Sequence, residues 1–224
     1  MHDTKKLSYE SLASKRLRLL IFFKKRRSNM KKILLGSRSP RRQEILRYFH
    51  LPFEIESPDF DEKAVPYKDN PEDFVREIAE GKGKSLQKHF KDHIIITADT
   101  VVIHSGRVFL KPTDEEDATM MLKELSGQTH HVYTAVSVRL KDKVFTDIGK
   151  TAVAFNHLTD IQIKRYLQSA HGKDKAGSYG GQEIGSLLIN SIDGSFYNLI
   201  GLPVNILNRL LNQVGIDLWD YVDG

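Results

Sequence analysis

Residues 94–103 read Ile-Ile-Ile-Thr-Ala-Asp-Thr-Val-Val-Ile, and this stretch decides the fold class. A short run that is apolar on both faces is typical of a strand buried inside a sheet with helices on both sides. Asp99 interrupts the run. We therefore expect a buried strand over 94–98 that continues at 101–103, with Asp99 at the strand end, where α/β enzymes place their chemistry.

The patterns on either side predict a mixed arrangement of helices and strands. Helices are expected from Ser39-Pro40, from Asn70-Pro71, over 114–125, from Thr159 and from Pro203, because caps and prolines precede helical spacing there. Strands are expected at 33–35, 53–56, 131–140, 151–155 and 187–189, with an irregular stretch at 195–198. Helices and strands alternate early and strands cluster in the middle. This order predicts an α/β fold with a mixed, mainly β sheet flanked by helices.

Composition narrows the class of protein. The length of 224 residues predicts a single domain with a sizeable core. The absence of cysteine excludes disulfides, thiolate metal sites and cysteine nucleophiles, and it fits a cytoplasmic location. No apolar run reaches the ~18 residues of a membrane helix, so no membrane partner is expected.

The net charge of +5 is concentrated at the start of the chain. Residues 1–29 hold nine Lys and Arg against two acids, which leaves 25 basic and 27 acidic residues in 30–224. We expect a basic extension over 1–29 outside the fold, a domain over 30–224 and a natural start at Met30. A nearly neutral body argues against nucleic acid as a partner.

Ser37-Arg38-Ser39-Pro40-Arg41-Arg42 joins the end of a strand to the start of a helix. Free N–H groups at a helix start attract anions, and arginines add donors suited to phosphate. The alternative is a capped helix with solvated arginines. Positive charge is unfavourable at a helix start, so the pattern favours a bound phosphate.

Charged residues elsewhere offer further candidates. Asp99 could orient water, accept its proton or bind a metal, or it could only accept backbone hydrogen bonds at a strand break. Glu62, Lys82, Lys111 and Lys175 lie near segment boundaries. Each alone is better explained as a solvated surface charge, so they count only as a set.

Residues 174–182 read Asp-Lys-Ala-Gly-Ser-Tyr-Gly-Gly-Gln and are too rich in glycine for regular structure. Such a loop lets the backbone approach a ligand closely, although a plain connecting loop would look the same. Gln182 could contact a base edge or cap the turn.

Taken together, these stretches resemble the Maf family of nucleoside triphosphate pyrophosphatases, also called septum formation inhibitor proteins. The resemblance spans about Lys32 to Leu211. The motifs that carry it are SRSPRRQEIL (37–46), Glu62, Lys82, ADTVV (98–102), KP (111–112), SGQTH (126–130), YT (133–134), DKAGSYGGQ (174–182) and GLP (201–203).

The resemblance implies a single elongated domain with a central cleft that hydrolyses a nucleoside triphosphate to the monophosphate and pyrophosphate. It implies Asp99, Glu62 and Lys82 as catalytic residues, with Asp99 accepting the proton of the attacking water. Asp99 and Glu62 would also hold a divalent cation, Mg²⁺ or Mn²⁺. Substrate binding would fall to Ser37, Ser39, Arg41, Arg42, Thr100, Lys111 and Gln182.

Thr100 and Gln182 match the members of the family that act on dTTP and UTP. Gly83, Gly181 and Glu183 depart from the family pattern, which usually has Ala, Ile and Gly at these positions. The alternatives are a Maf-type enzyme for a modified or purine nucleotide such as 7-methyl-GTP, and a non-catalytic regulator of division. The oligomeric state is left open, with a homodimer as the candidate.

Overall fold

A computed structural model describes residues 31–169 and 176–222 of the chain. Seven strands form one sheet: β1 (Ile33–Gly36), β2 (Glu54–Glu56), β3 (Ile94–His104), β4 (Arg107–Phe109), β5 (Thr129–Leu140), β6 (Lys143–Phe155) and β7 (Ile189–Asp193). Their order is β2-β1-β3-β5-β6-β7, with β4 paired to β3. The β2-β1-β3 pairs are parallel and the others antiparallel. The predicted mixed sheet flanked by helices is confirmed.

Six α-helices are found in the described residues: α1 (Pro40–Arg47), α2 (Pro71–Gln87), α3 (Glu115–Leu125), α4 (Asp160–Gln168), α5 (Phe196–Ile200) and α6 (Val204–Asn212). Short 3-10 turns lie at Glu62–Ala64, Ala176–Ser178, Glu183–Leu188 and Leu218–Tyr221. Asn70, Asp114 and Thr159 cap their helices through side-chain hydrogen bonds, as their residue types predict.

Strand β3 presents its two faces to different helical layers, because successive side chains of a strand alternate. Val101 packs with Phe74 and Ile78 of α2 on one face. Val102 packs with Leu122 and Phe109 on the other. Both faces are therefore covered, and this explains why the strand is apolar throughout.

The pairing along β3 leaves a gap on one edge. Strand β1 pairs with residues Ile94 to Thr97, and β4 pairs with Val102 to His104. Residues 98–101 pair with β5 on the other edge but with neither β1 nor β4. We call the unpaired edge of β3 at residues 98–101 the β3 gap. Asp99 thus lies within a continuous strand and not at a strand end, but it sits just beyond the end of its parallel neighbour.

Three further expectations needed correction. The segment Phe196–Ile200 is a short helix with Ser195 as its cap, whereas an irregular stretch was expected. The last strand begins at Ile189, because a 3-10 turn occupies Glu183–Leu188. Strand β6 begins at Lys143, well before the expected Thr151, because its first half pairs fully with β5.

Acid should destabilise the fold through His130. This side chain is fully buried, and burial lowers its pKa from 6.5 to about 3. Because the folded-state pKa lies below the unfolded value, the stabilisation is complete above pH 6.5 and is lost as the pH falls towards 3. Between pH 6.5 and 4.5 the loss should be about 2.3 kcal/mol of unfolding free energy. Urea unfolding of wild type and His130→Phe at both pH values measures it, and equal losses in the two proteins would contradict the assignment.

Candidate active site

The first part of the site is the turn that enters α1. Ser37 is buried, and its hydroxyl oxygen accepts a hydrogen bond from the backbone N–H of Ser39 at 3.2 Å. Ser39 is the N-cap residue, yet its side chain makes no capping hydrogen bond, and the first turn of α1 holds no acidic residue. The start of α1 therefore keeps the features expected of an anion site.

Arg42 is engaged by the protein itself. Its guanidinium donates to the carbonyl oxygens of Gly201 at 2.7 Å and Ala98 at 2.8 Å, and to the Thr100 hydroxyl at 2.9 Å. Arg42 thereby supplies a donor to the unpaired edge of the β3 gap. These contacts favour a positioning role for Arg42 over the phosphate contact expected from sequence.

The exchange Arg42→Lys tests that positioning role. An ammonium cannot reproduce the fixed fork of a guanidinium, so the carbonyl groups of Ala98 and Gly201 would lose their donor. We expect the free energy of unfolding to fall by about 2–3 kcal/mol, at roughly 1 kcal/mol for each hydrogen bond lost. Urea unfolding measures this change. Arg47→Lys, at an exposed position of the same helix, is the control and should change stability by under about 0.5 kcal/mol. Equal effects of the two exchanges would refute the role.

Lys82 is the centre of the second part of the site. It lies on the sheet-facing side of α2 and is only 7% exposed. Its ammonium nitrogen lies 2.8 Å from Oδ1 of Asp99 and 2.9 Å from Oε1 of Glu62. Lysine is almost never buried without a partner, and here two carboxylates provide one. The structure therefore brings the three predicted catalytic residues into direct contact.

The two carboxylates differ in environment. Asp99 is buried, and burial raises its pKa, although the charges of Lys82 and Arg42 act in the opposite direction. The side chain of Glu62 is 51% exposed and starts a 3-10 turn that Asp61 caps. One acid is thus shielded from water and the other faces it. Such a pair can separate proton transfer from the binding of a solvated cation.

Thr100 points to the opposite face of β3 from Asp99. Its hydroxyl accepts from Arg42 and lies 3.0 Å from the hydroxyl of Thr134, which donates to the carbonyl oxygen of Asn198. This chain of hydrogen bonds ties α1, β3, β5 and α5 together. Thr134 and Asn198 were missed as site residues, although both lie within or next to quoted motifs.

Gln182 and Lys111 both adjoin the loop at residues 176–182. Gln182 is partly buried and precedes the 3-10 turn Glu183–Leu188. Lys111 is exposed and follows Leu110, whose carbonyl oxygen accepts from the N–H of Gly177 at 3.2 Å. Asp174 and Lys175 lie outside the described residues.

The three departures from the family pattern have structural counterparts. A Cβ atom at Gly83 would lie 3.2 Å from the Thr97 hydroxyl, and one at Gly181 would lie 2.6 Å from Cδ2 of Leu199. Neighbouring side chains therefore approach the backbone closely at Gly83 of α2 and at Gly181 of the loop. Glu183 has a φ of 52°, a left-handed conformation that favours the glycine usual at this position.

Comparison with known proteins identifies the family. The family described as Maf-like protein matches residues 32–214. A dTTP/UTP pyrophosphatase of Chlamydia caviae is 44% identical over 191 residues, which are 85% of this chain and 97% of that protein. A dTTP/UTP pyrophosphatase of Bacillus cereus is 42% identical over 200 residues, 89% of this chain and 98% of that protein. Among solved structures, the Staphylococcus aureus Ham1 protein is 12% identical and matches with a TM-score of 0.49, covering 82% of this chain and all of that one.

The fold and site therefore define a protein of the α/β class with a buried lysine–carboxylate centre. The chain belongs to the Maf family, and the resemblance seen in its motifs is confirmed. Within the described residues, no helix is both long and apolar enough to cross a bilayer.

Proposed function

We propose that this protein hydrolyses nucleoside triphosphates to nucleoside monophosphates and pyrophosphate, with dTTP and UTP as favoured substrates. The buried contact of Lys82 with both Asp99 and Glu62, beside the start of α1, carries the proposal. Relatives named dTTP/UTP pyrophosphatase at 42–44% identity support the choice of substrate.

The reaction places water in line with the bond that links the α-phosphorus to the bridging oxygen. The Asp99 carboxylate accepts the proton of the water as its oxygen bonds to the α-phosphorus. The bond to the bridging oxygen breaks, and pyrophosphate leaves with the electron pair. Lys82 orients Asp99, while Arg41, Lys111 and the start of α1, with Ser37 and Ser39, hold the negative charge of the phosphates.

Glu62 and Asp99 suit a divalent cation such as Mg²⁺ or Mn²⁺. Mg²⁺ commonly takes one or two carboxylates together with water and substrate phosphate oxygens. Each carboxylate has a second oxygen besides the one that contacts Lys82, and the exposed position of Glu62 leaves room for water. Residues 31–169 and 176–222 contain no group of three His, Asp or Glu side chains able to hold a metal. When bound, the cation would neutralise charge on the phosphates.

Release of pyrophosphate from dTTP, UTP, CTP, GTP and 7-methyl-GTP, measured with Mg²⁺ and with Mn²⁺, tests the function. We expect dTTP and UTP to give the highest kcat/KM. A preference for 7-methyl-GTP would favour the modified-nucleotide alternative. If none of the five nucleotides is hydrolysed, a non-catalytic regulator of division is the remaining alternative.

Gln182 should contribute to base choice. It adjoins Gly181, which packs against Leu199 of α5. Helix α5 is followed by Gly201, whose carbonyl oxygen accepts a hydrogen bond from Arg42. A polar group that pairs with a base loses discrimination when it is removed. We expect Gln182→Ala to lower kcat/KM for UTP and to lower the ratio of UTP to 7-methyl-GTP.

Gln182→Glu should lower UTP use further, because a carboxylate cannot donate to a carbonyl oxygen of uracil. The ratio of kcat/KM for UTP and 7-methyl-GTP in wild type and both variants gives the answer. Glu183→Gln, one residue away on the exposed side, is the control. An unchanged ratio in both Gln182 variants would place this side chain outside the base pocket.

We also propose that residues 1–29 are dispensable for catalysis, since the family match begins at residue 32. A chain that starts at Met30 should keep full turnover.

A further inference from the structure

A glycine-containing segment, residues 176–182, contacts the neighbour of one proposed substrate-binding residue and ends at another. The N–H of Gly177 donates to Leu110, the neighbour of Lys111, and the segment ends at Gln182. We call residues 176–182 the binding loop. Gly177 and Ser178 have φ values of 66° and 62°, and no sheet pairing includes the loop. Its position therefore depends on its contacts with the body of the domain.

One buried contact of the binding loop joins two aromatic side chains. Tyr179 is 4% exposed and His130 is fully buried. The Tyr179 hydroxyl lies 2.6 Å from Nε2 of His130, and their rings meet edge to face with centroids 5.2 Å apart. Phe155 contacts both rings in the same geometry, at 4.8 Å from His130 and 4.7 Å from Tyr179.

His130 lies on β5, a strand that is paired along both edges. His130 is the second residue of β5 and pairs with Val153 of β6, and β5 also pairs with β3, which carries Asp99. A further contact, from the N–H of Gly180 to the hydroxyl of Tyr166 at 3.3 Å, holds the loop to α4. These contacts connect the loop to α4 and to the strand next to β3, which carries the proposed general base Asp99.

We propose that the His130–Tyr179 hydrogen bond positions the binding loop, so that His130 determines nucleotide affinity and selectivity without touching the nucleotide. The inference rests on the proposed function and adds a positioning residue to it. His130 lies three residues before Tyr133 in the motif SGQTHHVYT and has no other part in the proposed chemistry. Burial holds the imidazole neutral, because it lowers the His130 pKa to about 3, so the contact joins two uncharged groups at neutral pH.

The variant Tyr179→Phe keeps the ring and its packing but removes the hydroxyl. We expect the KM for UTP and dTTP to rise about two- to tenfold, the range that one net hydrogen bond gives. The kcat/KM ratio of UTP to CTP should fall, while kcat stays within about twofold because Lys82, Asp99 and Glu62 are untouched. His130→Phe should give the same changes, and the double variant should add little to either single one.

Ile163→Val is the control for a general loss of stability. Ile163 belongs to the same hydrophobic cluster as Phe155 and Tyr179, and this exchange typically costs 0.5–1.5 kcal/mol. It should leave both KM and the UTP to CTP ratio unchanged. If Tyr179→Phe lowers Tm as Ile163→Val does, and leaves KM and selectivity unchanged, the hydrogen bond is only structural and the proposal is wrong.

Hydrogen exchange separates this proposal from the proposed function. Tyr179→Phe should speed exchange of the amides of residues 176–183 about two- to tenfold in the free protein, and Ile163→Val should not. If wild type releases no pyrophosphate from any nucleotide, the proposed function fails, and the exchange result alone then decides whether the hydrogen bond holds the loop. Unchanged exchange in Tyr179→Phe would overturn the proposal whatever the activity.

Discussion

Asp99→Asn should lower the turnover of dTTP and UTP by about 10²–10⁴-fold, the contribution typical of a general base. The amide cannot accept a proton from water and is a poor metal ligand. It retains an oxygen that can accept the hydrogen bond from Lys82, which lies 2.8 Å from Oδ1 of the native side chain. Stability should therefore change little, since burial disfavours the charge of Asp99 in the folded protein.

Pyrophosphate release and urea unfolding measured on the same preparations separate catalysis from folding. Asp92→Asn is the matched control, because Asp92 is exposed and its carboxylate lies 3.8 Å from the ammonium of Lys141. It should alter neither quantity. If Asp99→Asn retained more than about a tenth of wild-type turnover, Asp99 would be a structural carboxylate.

Lys82→Met should reduce both activity and stability. Removing one partner of a buried charge pair typically costs 3–5 kcal/mol, because the other charge stays buried without compensation. Glu62 can turn towards solvent, but Asp99 is only 7% exposed and cannot. We expect a loss of about 3 kcal/mol in unfolding free energy at pH 8, together with loss of turnover of at least about 10²-fold.

The direction in which the stability of Lys82→Met changes with pH shows whether charge causes the loss. Without Lys82 the pKa of Asp99 should rise further above its unfolded value, so its ionisation destabilises the fold as the pH increases. Lys82→Met should therefore be closer to wild type in stability at pH 5 than at pH 8, measured with a chelator present. The double variant Lys82→Met/Asp99→Asn should recover most of the stability and none of the activity. Equal losses for Lys82→Met at both pH values would show that packing, and not charge, explains the effect.

Some parts of the site could be predicted from residue type and spacing. The buried strand with a single acid, the helix that starts at Pro40 and the capped helix at Asn70 each carry a local signal, and all three are confirmed. The contact between Lys82 and Asp99 has no such signal, since it depends on how α2 packs on β3. The family resemblance identified Glu62, Lys82 and Asp99 as a set, and the structure gives the distances between their side chains.

Other parts have no such signal, because neighbouring residues can point in different directions. Arg41 and Arg42 look equivalent in the sequence, yet the guanidinium of Arg42 bonds to backbone carbonyls and a hydroxyl. Asp99 and Thr100 are adjacent in the sequence, but the two-residue period of a strand places them on opposite faces. Ser195 before Phe196 is an N-cap signal that could have revealed α5.

The bond from Arg42 to the carbonyl of Gly201 joins residues that are 159 positions apart. On a ribosome, the segment up to β3 brings Glu62, Lys82 and Asp99 out of the exit tunnel long before Gly201 is made. Until Gly201 emerges, Arg42 can bond only to Ala98 and Thr100, so the donor at the edge of the β3 gap lacks its third acceptor. Contacts of such long range also slow folding. A nascent or truncated chain that ends before Gly201 should therefore remain inactive, although it holds Glu62, Lys82 and Asp99.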